Sequence, residues 1–232
     1  MKNFMRKVNR GLVLGGALII GVTVYVVADY KRFDSEKPEV EELVREYVGA
    51  FAEFNITPEQ YRETSIQYSK EDSINRIAEF NEFADKYWID TENSELDIFS
   101  YFVNKDRFSA AMQNLIDFEE RGYITEFSID ITDMKIKKDG PDAAVATFTS
   151  HYFFKGTEDS AIISPAGFNA HYSFYDPNDP VEPRFMQNSF SEETIINLVR
   201  KSDGWKITKG LSESNYDIEV TPIRSDDSED KA

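Results

Sequence analysis

The chain has 232 residues and not one cysteine. That excludes a disulfide framework, a thiolate metal centre and a lipid-modified cysteine anchor. Histidine is nearly as scarce, with His151 and His171 the only two. No metal cluster accompanies either, and no metal is expected. Acid is missing from the first 28 residues: all 43 Asp and Glu follow Ala28, with 22 of the 26 Lys and Arg, leaving that part at −21. Such a surface repels phosphate, which argues against nucleic acid as a partner and against anionic lipid head groups. There is no glycine-rich phosphate loop, no nucleophile elbow and no HExxH motif. No cofactor is expected.

What the chain does have is one long apolar run, Gly11 to Ala28, GLVLGGALIIGVTVYVVA, 18 residues without charge. As a helix it reaches roughly 27 Å, about one bilayer core. Lys2, Arg6, Lys7 and Arg10 precede it, against Lys31, Arg32 and Lys37 beyond it. This contrast predicts a cytoplasmic amino terminus (residues 1–10), a membrane helix over 11–28 and an extracytoplasmic remainder. Tyr25 and Tyr30 sit where interfacial aromatics anchor a spanning helix. The alternative is a cleaved signal peptide. Val26-Val27-Ala28 has a small-residue cleavage pattern, and cleavage after Ala28 would release a secreted protein. Against it, the run exceeds the usual core of about 7–15 residues. Gly11/Gly15 and Ala17/Gly21 are small-xxx-small pairs that would let two copies approach as a homo-oligomer. The glycine content of any spanning helix also accounts for them.

Residues 29–37 read as a linker. Pro38 suits the first turn of a helix whose apolar face is Val40, Leu43, Val44, Tyr47, Val48 and Phe51. Thr57-Pro58-Glu59-Gln60 is a capping box for a short helix to about Thr64. Ser69 with Asp72 starts a third helix through Tyr87 and Trp88. Ser94 with Asp97 starts a fourth, running to Gly122, with Asn104-Lys105-Asp106 as a break in it. After Gly122 the period changes from helical to alternating. Phe127, Ile129 and Ile131 lead a strand, Asp139-Gly140 a turn, and Ala144 to Phe154 its antiparallel partner. Residues 156–167 are irregular, and Phe168 to Tyr175 is strand-like. A long strand over Met186 to Lys201 turns at Asp203-Gly204 into Trp205-Lys206-Ile207-Thr208. Residues 212–232 read as an acidic tail, too polar in its last part, SDDSEDKA, to pack.

Helices first and a strand meander after them predict an α+β domain over 38–211, with three to four helices on one face of a curved antiparallel sheet. The closing hairpin, Asn197-Leu-Val-Arg-Lys-Ser-Asp-Gly-Trp-Lys-Ile-Thr208, resembles the last hairpin of the NTF2-like (cystatin-like) cone fold. A membrane-tethered domain of this fold is similar to the single-pass scaffold subunit of type IV secretion and conjugation machines. It is also similar to the non-catalytic amino-terminal domain of some penicillin-binding proteins, whose catalytic partner this chain lacks, and to exported domains of Gram-positive bacteria. The resemblance implies a non-enzymatic, extracytoplasmic interaction module with envelope proteins as partners. Its rival is a small-molecule binder or enzyme using the cone's pocket.

Some enzymes of that fold use a histidine–aspartate pair in the pocket, which makes His151 and His171 the candidates for a general base near neutral pH. No serine, cysteine or metal cluster accompanies either in the sequence, so an ordinary strand histidine is the plainer reading. Asp176, Asn178 and Asp179 lack the spacing of a calcium loop and read as a solvated turn. The 18 Phe and 12 Tyr read mainly as core.

Overall fold

The computed structural model describes residues 10–62, 70–89, 103–119, 122–157, 160–166, 169–171 and 185–222. The chain divides into two compact units, Met1–Val40 and Glu41–Ala232.

The first helix, α1, runs over Arg10–Phe54 with Pro38 inside it. The linker expected over 29–37 is therefore helical, and Pro38 does not open a new helix. An interior proline removes one backbone hydrogen bond and costs about 3 kcal/mol. The residues before it are held by i,i+3 and i,i+4 ion pairs. Arg32 pairs with Asp29 at 3.1 Å and with Glu36 at 3.8 Å. Ser35 Oγ adds a bond to the Arg32 carbonyl at 2.6 Å. Among the described residues no helix is long and apolar enough to cross a membrane. The side chains of residues 10–14, which begin the apolar run, lie outside that description.

In the second unit, the helix expected after Thr57 is a single 3₁₀ turn, Glu59–Tyr61; residues 63–69 lie outside the described residues. Helix α2 spans Lys70–Tyr87 and α3 spans Lys105–Glu119. The expected break at Asn104 is a start. Asn104 Oδ1 accepts the Arg107 N–H at 3.0 Å, an N-cap that satisfies one of the free donors of the first turn. The start expected at Ser94 lies outside the described residues.

The carboxyl-terminal part of α1, with α2 and α3, packs through aromatic rings. Trp88 and Phe108 stack at 4.6 Å, and Tyr47 lies within 5.3 to 6.4 Å of Phe51, Phe83, Tyr87, Trp88 and Phe108. Each such pair adds about 0.5–1.5 kcal/mol beyond its buried area. Among the described residues most Phe and Tyr side chains are core.

The sheet has four antiparallel strands in the order β1 (Ile124–Lys138), β2 (Ala143–Thr157), β5 (Phe185–Lys201), β6 (Gly204–Pro222). Bulges in β1 and in the β5–β6 pair curve it. Gly140 and Gly204 turn the two hairpins at φ 119° and 117°, a region that glycine enters without steric cost. Strand β6 runs to Pro222, so residues 212–222 are strand where a tail was expected. The pairing partner β5 is long enough to hold them, with Met186 opposite Pro222. Two short strands form a separate ribbon: β3 (Ala161–Ile163) in the stretch read as irregular, and β4 (Asn169–His171) in the stretch read as strand-like.

Alternation decides which residues face the helices. Ala144, Ala146, Phe148, Ser150, Tyr152 and Phe154 are buried on β2, and Phe190, Glu192, Thr194, Ile196 and Leu198 on β5. Trp205 and Ile207 share that face and are 3% and 0% exposed. The helical layer closes on β6 by backbone bonds. Ile89 N–H donates to the Ile207 carbonyl at 2.9 Å, and Val103 and Gly210 exchange two bonds at 2.7 and 2.8 Å. The result is an α+β layer pair, helices on one face of a curved four-stranded sheet.

Candidate functional site

A strand that alternates correctly puts every second residue into the core, whatever its chemistry. On β5 that rule buries Glu192, which is 5% exposed. It stands opposite Ser150 of β2. Tyr152, one pleat further along β2, donates its hydroxyl to Glu192 Oε1. Ser212 of β6 donates to the same oxygen at 2.9 Å. Ser164, just after β3, bonds to Ser212 at 3.2 Å and also to the carboxyl group. Ser150 and Thr194 share a bond at 3.0 Å beside them. The Tyr152 ring stacks on Phe190 at 4.4 Å and nearly parallel.

Burial pushes the Glu192 carboxyl above the usual carboxylate range; the hydroxyls of Tyr152, Ser212 and Ser164 oppose that push without cancelling it. Burial also holds the Tyr152 phenol well above its ordinary value, with the Glu192 charge raising it further. Removing water penalises the charged form of either group. The arrangement can hold or release one proton inside the domain, and it can hydrogen-bond a polar group there. A second buried polar atom, Asn188 Oδ1, accepts no hydrogen bond among the described residues.

The sequence candidates lie elsewhere. His151 is exposed on the opposite face of β2. Its Nε2 bonds with Thr132 Oγ1 at 2.9 Å and its Nδ1 with Ser191 Oγ at 2.7 Å. It ties β1, β2 and β5 together across the outer face and does not meet Glu192. His171 pairs by its backbone with Ala161; its side chain lies outside the described residues, as do Asp176, Asn178 and Asp179. Among the described residues no three His, Asp or Glu groups converge.

Sequence reasoning passed over Glu192, although its signal was present. Thr194, Ile196 and Leu198 define one face of the strand, and Glu192 falls on it by parity. An acid in register with an apolar stripe is the mark of a buried carboxyl.

An open cleft of about 230 Å³ lies between the 3₁₀ turn and α2, lined by Pro58, Tyr61, Asp72, Arg76 and Glu79 among others. Arg76 stacks over Phe80 at 4.6 Å and donates to the Phe54 carbonyl at 3.0 Å. That role is to cap the end of α1.

No family model matches the chain, and no curated protein does. Two of the solved structures it is similar to are as follows. One is a candidate aromatic ring hydroxylase from Novosphingobium aromaticivorans, at 11% identity and a TM-score of 0.37, covering 64% of this chain and 83% of that one. The other is a candidate dehydratase of the NTF2-like family from Streptomyces avermitilis, at 12% identity and a TM-score of 0.33, covering 76% of this chain and 97% of that one.

Proposed function

We propose that this chain is a membrane-tethered, extracytoplasmic interaction module of NTF2-like design. It works without catalysis as a scaffold in a bacterial envelope, secretion or conjugation complex. The observation that carries the tether is the surface of α1: Leu18, Ile19, Ile20, Val22 and Val24 are 55 to 69% exposed. Consecutive apolar residues look outward on every side of the helix. An amphipathic helix in water shows one apolar stripe; one that is apolar all round belongs in lipid or inside a larger assembly. The basic residues before Gly11 orient it with the amino terminus in the cytoplasm. Helices on a sheet, and a closing hairpin that turns at Asp203-Gly204 with Trp205 buried, support the NTF2-like reading. The test is a topology pair on the full chain. A reporter active only outside the cytoplasm should work when fused after Pro222, in a fraction that resists alkaline extraction of membranes. A mature protein beginning at Asp29 would replace the tether by a signal peptide. Crosslinking in whole cells should then recover a defined envelope protein; recovery of none sinks the scaffold role.

A second reading, a binder or enzyme that uses the inner face of the sheet, is supported by Glu192 and by Asn188 Oδ1. Glu192→Gln separates the two readings. A scaffold keeps its crosslinked partners in this variant, and an inner-site protein loses its ligand or activity.

A further inference from the structure

Residues 160–166 form a strap between the helices and the sheet. Asn55, just after α1, holds Ile163 by both of its backbone groups, at 2.8 and 3.2 Å. The Tyr47 hydroxyl donates to the Pro165 carbonyl at 2.7 Å and accepts from Trp88 Nε1 at 3.3 Å. On the sheet side, side-chain bonds from the strap converge on one group. Ser164 bonds to Ser212, and both reach the Glu192 carboxyl, which also receives Tyr152. We propose that Glu192 is a proton-operated latch that fastens this strap to the sheet, closed when the carboxyl is protonated and loosened when it ionises.

The chemistry of the closed state is simple. A neutral carboxyl fits a buried site beside Tyr152, and its one O–H bonds to a hydroxyl oxygen in the cluster. As pH rises the proton leaves to solvent and a carboxylate remains. The groups that face it are hydroxyls: Tyr152 and, through it, Ser150 from β2, Ser212 from β6, and Ser164 from the strap. Tyr47 of α1 lies beyond them and acts on Tyr152. Among the described residues no charged side chain acts on Glu192. With no cation to neutralise it, the carboxylate gains most by meeting water. In the latch, parting Ser164 from Ser212 is the step that admits it. Tyr152 cannot supply the charge, because its own burial holds it protonated.

The experiment is amide hydrogen exchange on the full chain in detergent micelles at about pH 5 and about pH 8, corrected for intrinsic exchange. Protection of Ile162 to Ser164 should fall in the wild type by up to about tenfold for each pH unit between the ordinary glutamate range and the value held by Glu192. In Glu192→Gln the strap should keep its protection across the range. An equal fall in both proteins overturns the latch, and so does no fall in the wild type. If Glu192→Gln does not fold, side-chain carboxyl NMR of the wild type decides. A Glu192 signal that titrates with the surface glutamates overturns the proposal; one that titrates above them, together with the loss of strap protection, supports it.

Discussion

Asn55 and Ile163, 108 residues apart, make a closed pair of hydrogen bonds. The Asn55 amide donates to the Ile163 carbonyl at 3.2 Å and accepts its N–H at 2.8 Å. Both residues are buried, at 2% exposure each. A side-chain amide here imitates a strand partner for β3, which has β4 on its other edge. Replacing Asn55 by Ala leaves a buried donor and acceptor unpaired, at about 1–3 kcal/mol for each group. Asn55→Ala should lower the denaturation midpoint by an amount equivalent to about 2–4 kcal/mol. Asn55→Asp should be no better, since it keeps the acceptor and loses the donor. Urea titration followed by tryptophan fluorescence reads both.

Trp205 and Lys206 separate the two faces of the closing strand. Trp205 is 3% exposed, so Trp205→Ala should cost on the order of 3–5 kcal/mol. Lys206 has a role that the alternation alone does not suggest: its Nζ donates to the Lys86 carbonyl in the last turn of α2 at 2.7 Å. A cation there meets the negative end of the helix. Lys206→Ala should cost about 0.5–1 kcal/mol. Thermal melting of the two variants should rank them in that order, and equal losses would place the strand in the wrong register.

The pH dependence of stability should run against the usual acid-unfolding trend over one window. Glu192 holds its proton more tightly folded than unfolded, where its value is about 4.5. Its stabilising contribution is then complete below the unfolded value and is lost as pH rises towards the folded one. Between those two values the loss is at most about 1.36 kcal/mol per pH unit. Glu192→Gln should flatten the profile in that window. Tyr152→Phe removes a donor to the carboxyl, so it should widen the window upward. Melting temperatures from mildly acidic to mildly alkaline pH check both shifts, and a wild-type profile parallel to that of Glu192→Gln counts against them.

Gly210 lies against the strap. A Cβ added there would stand 2.8 Å from Ala166 Cα and 3.0 Å from its carbonyl oxygen. Both are backbone atoms, which cannot swing aside as a side-chain end can. Gly210→Ala should therefore cost about 1–3 kcal/mol by overpacking. It should also speed proteolysis within 160–166, seen in a limited digest timed against the wild type.

Much of this architecture is written in near neighbours. The change from a 3.6-residue to a 2-residue apolar period after Gly122 separates helices from strands. Asp139-Gly140 and Asp203-Gly204 mark both hairpins, because only the turn's own residues decide whether positive φ is tolerated. The alternation along Met186 to Lys201 even sorts the residues of β5 into two sets. Alternation does not say which set is inward; the helices that cover one face decide that. Their packing buries Glu192 and leaves His151 exposed, the reverse of the weight that residue chemistry alone puts on them. The continuity of α1 through Pro38 was hidden because a proline reads as a boundary. The strap was hidden because its partners are distant. Tyr47 of α1, Asn55 of the turn after it, Ser212 of β6 and Glu192 of β5 reach residues 160–166 only after the chain has folded. Period and turn chemistry are local properties that the amino-acid sequence determines by itself. The meeting of one buried carboxyl with hydroxyls from two strands and a strap is long-range, and only the tertiary structure could decide it.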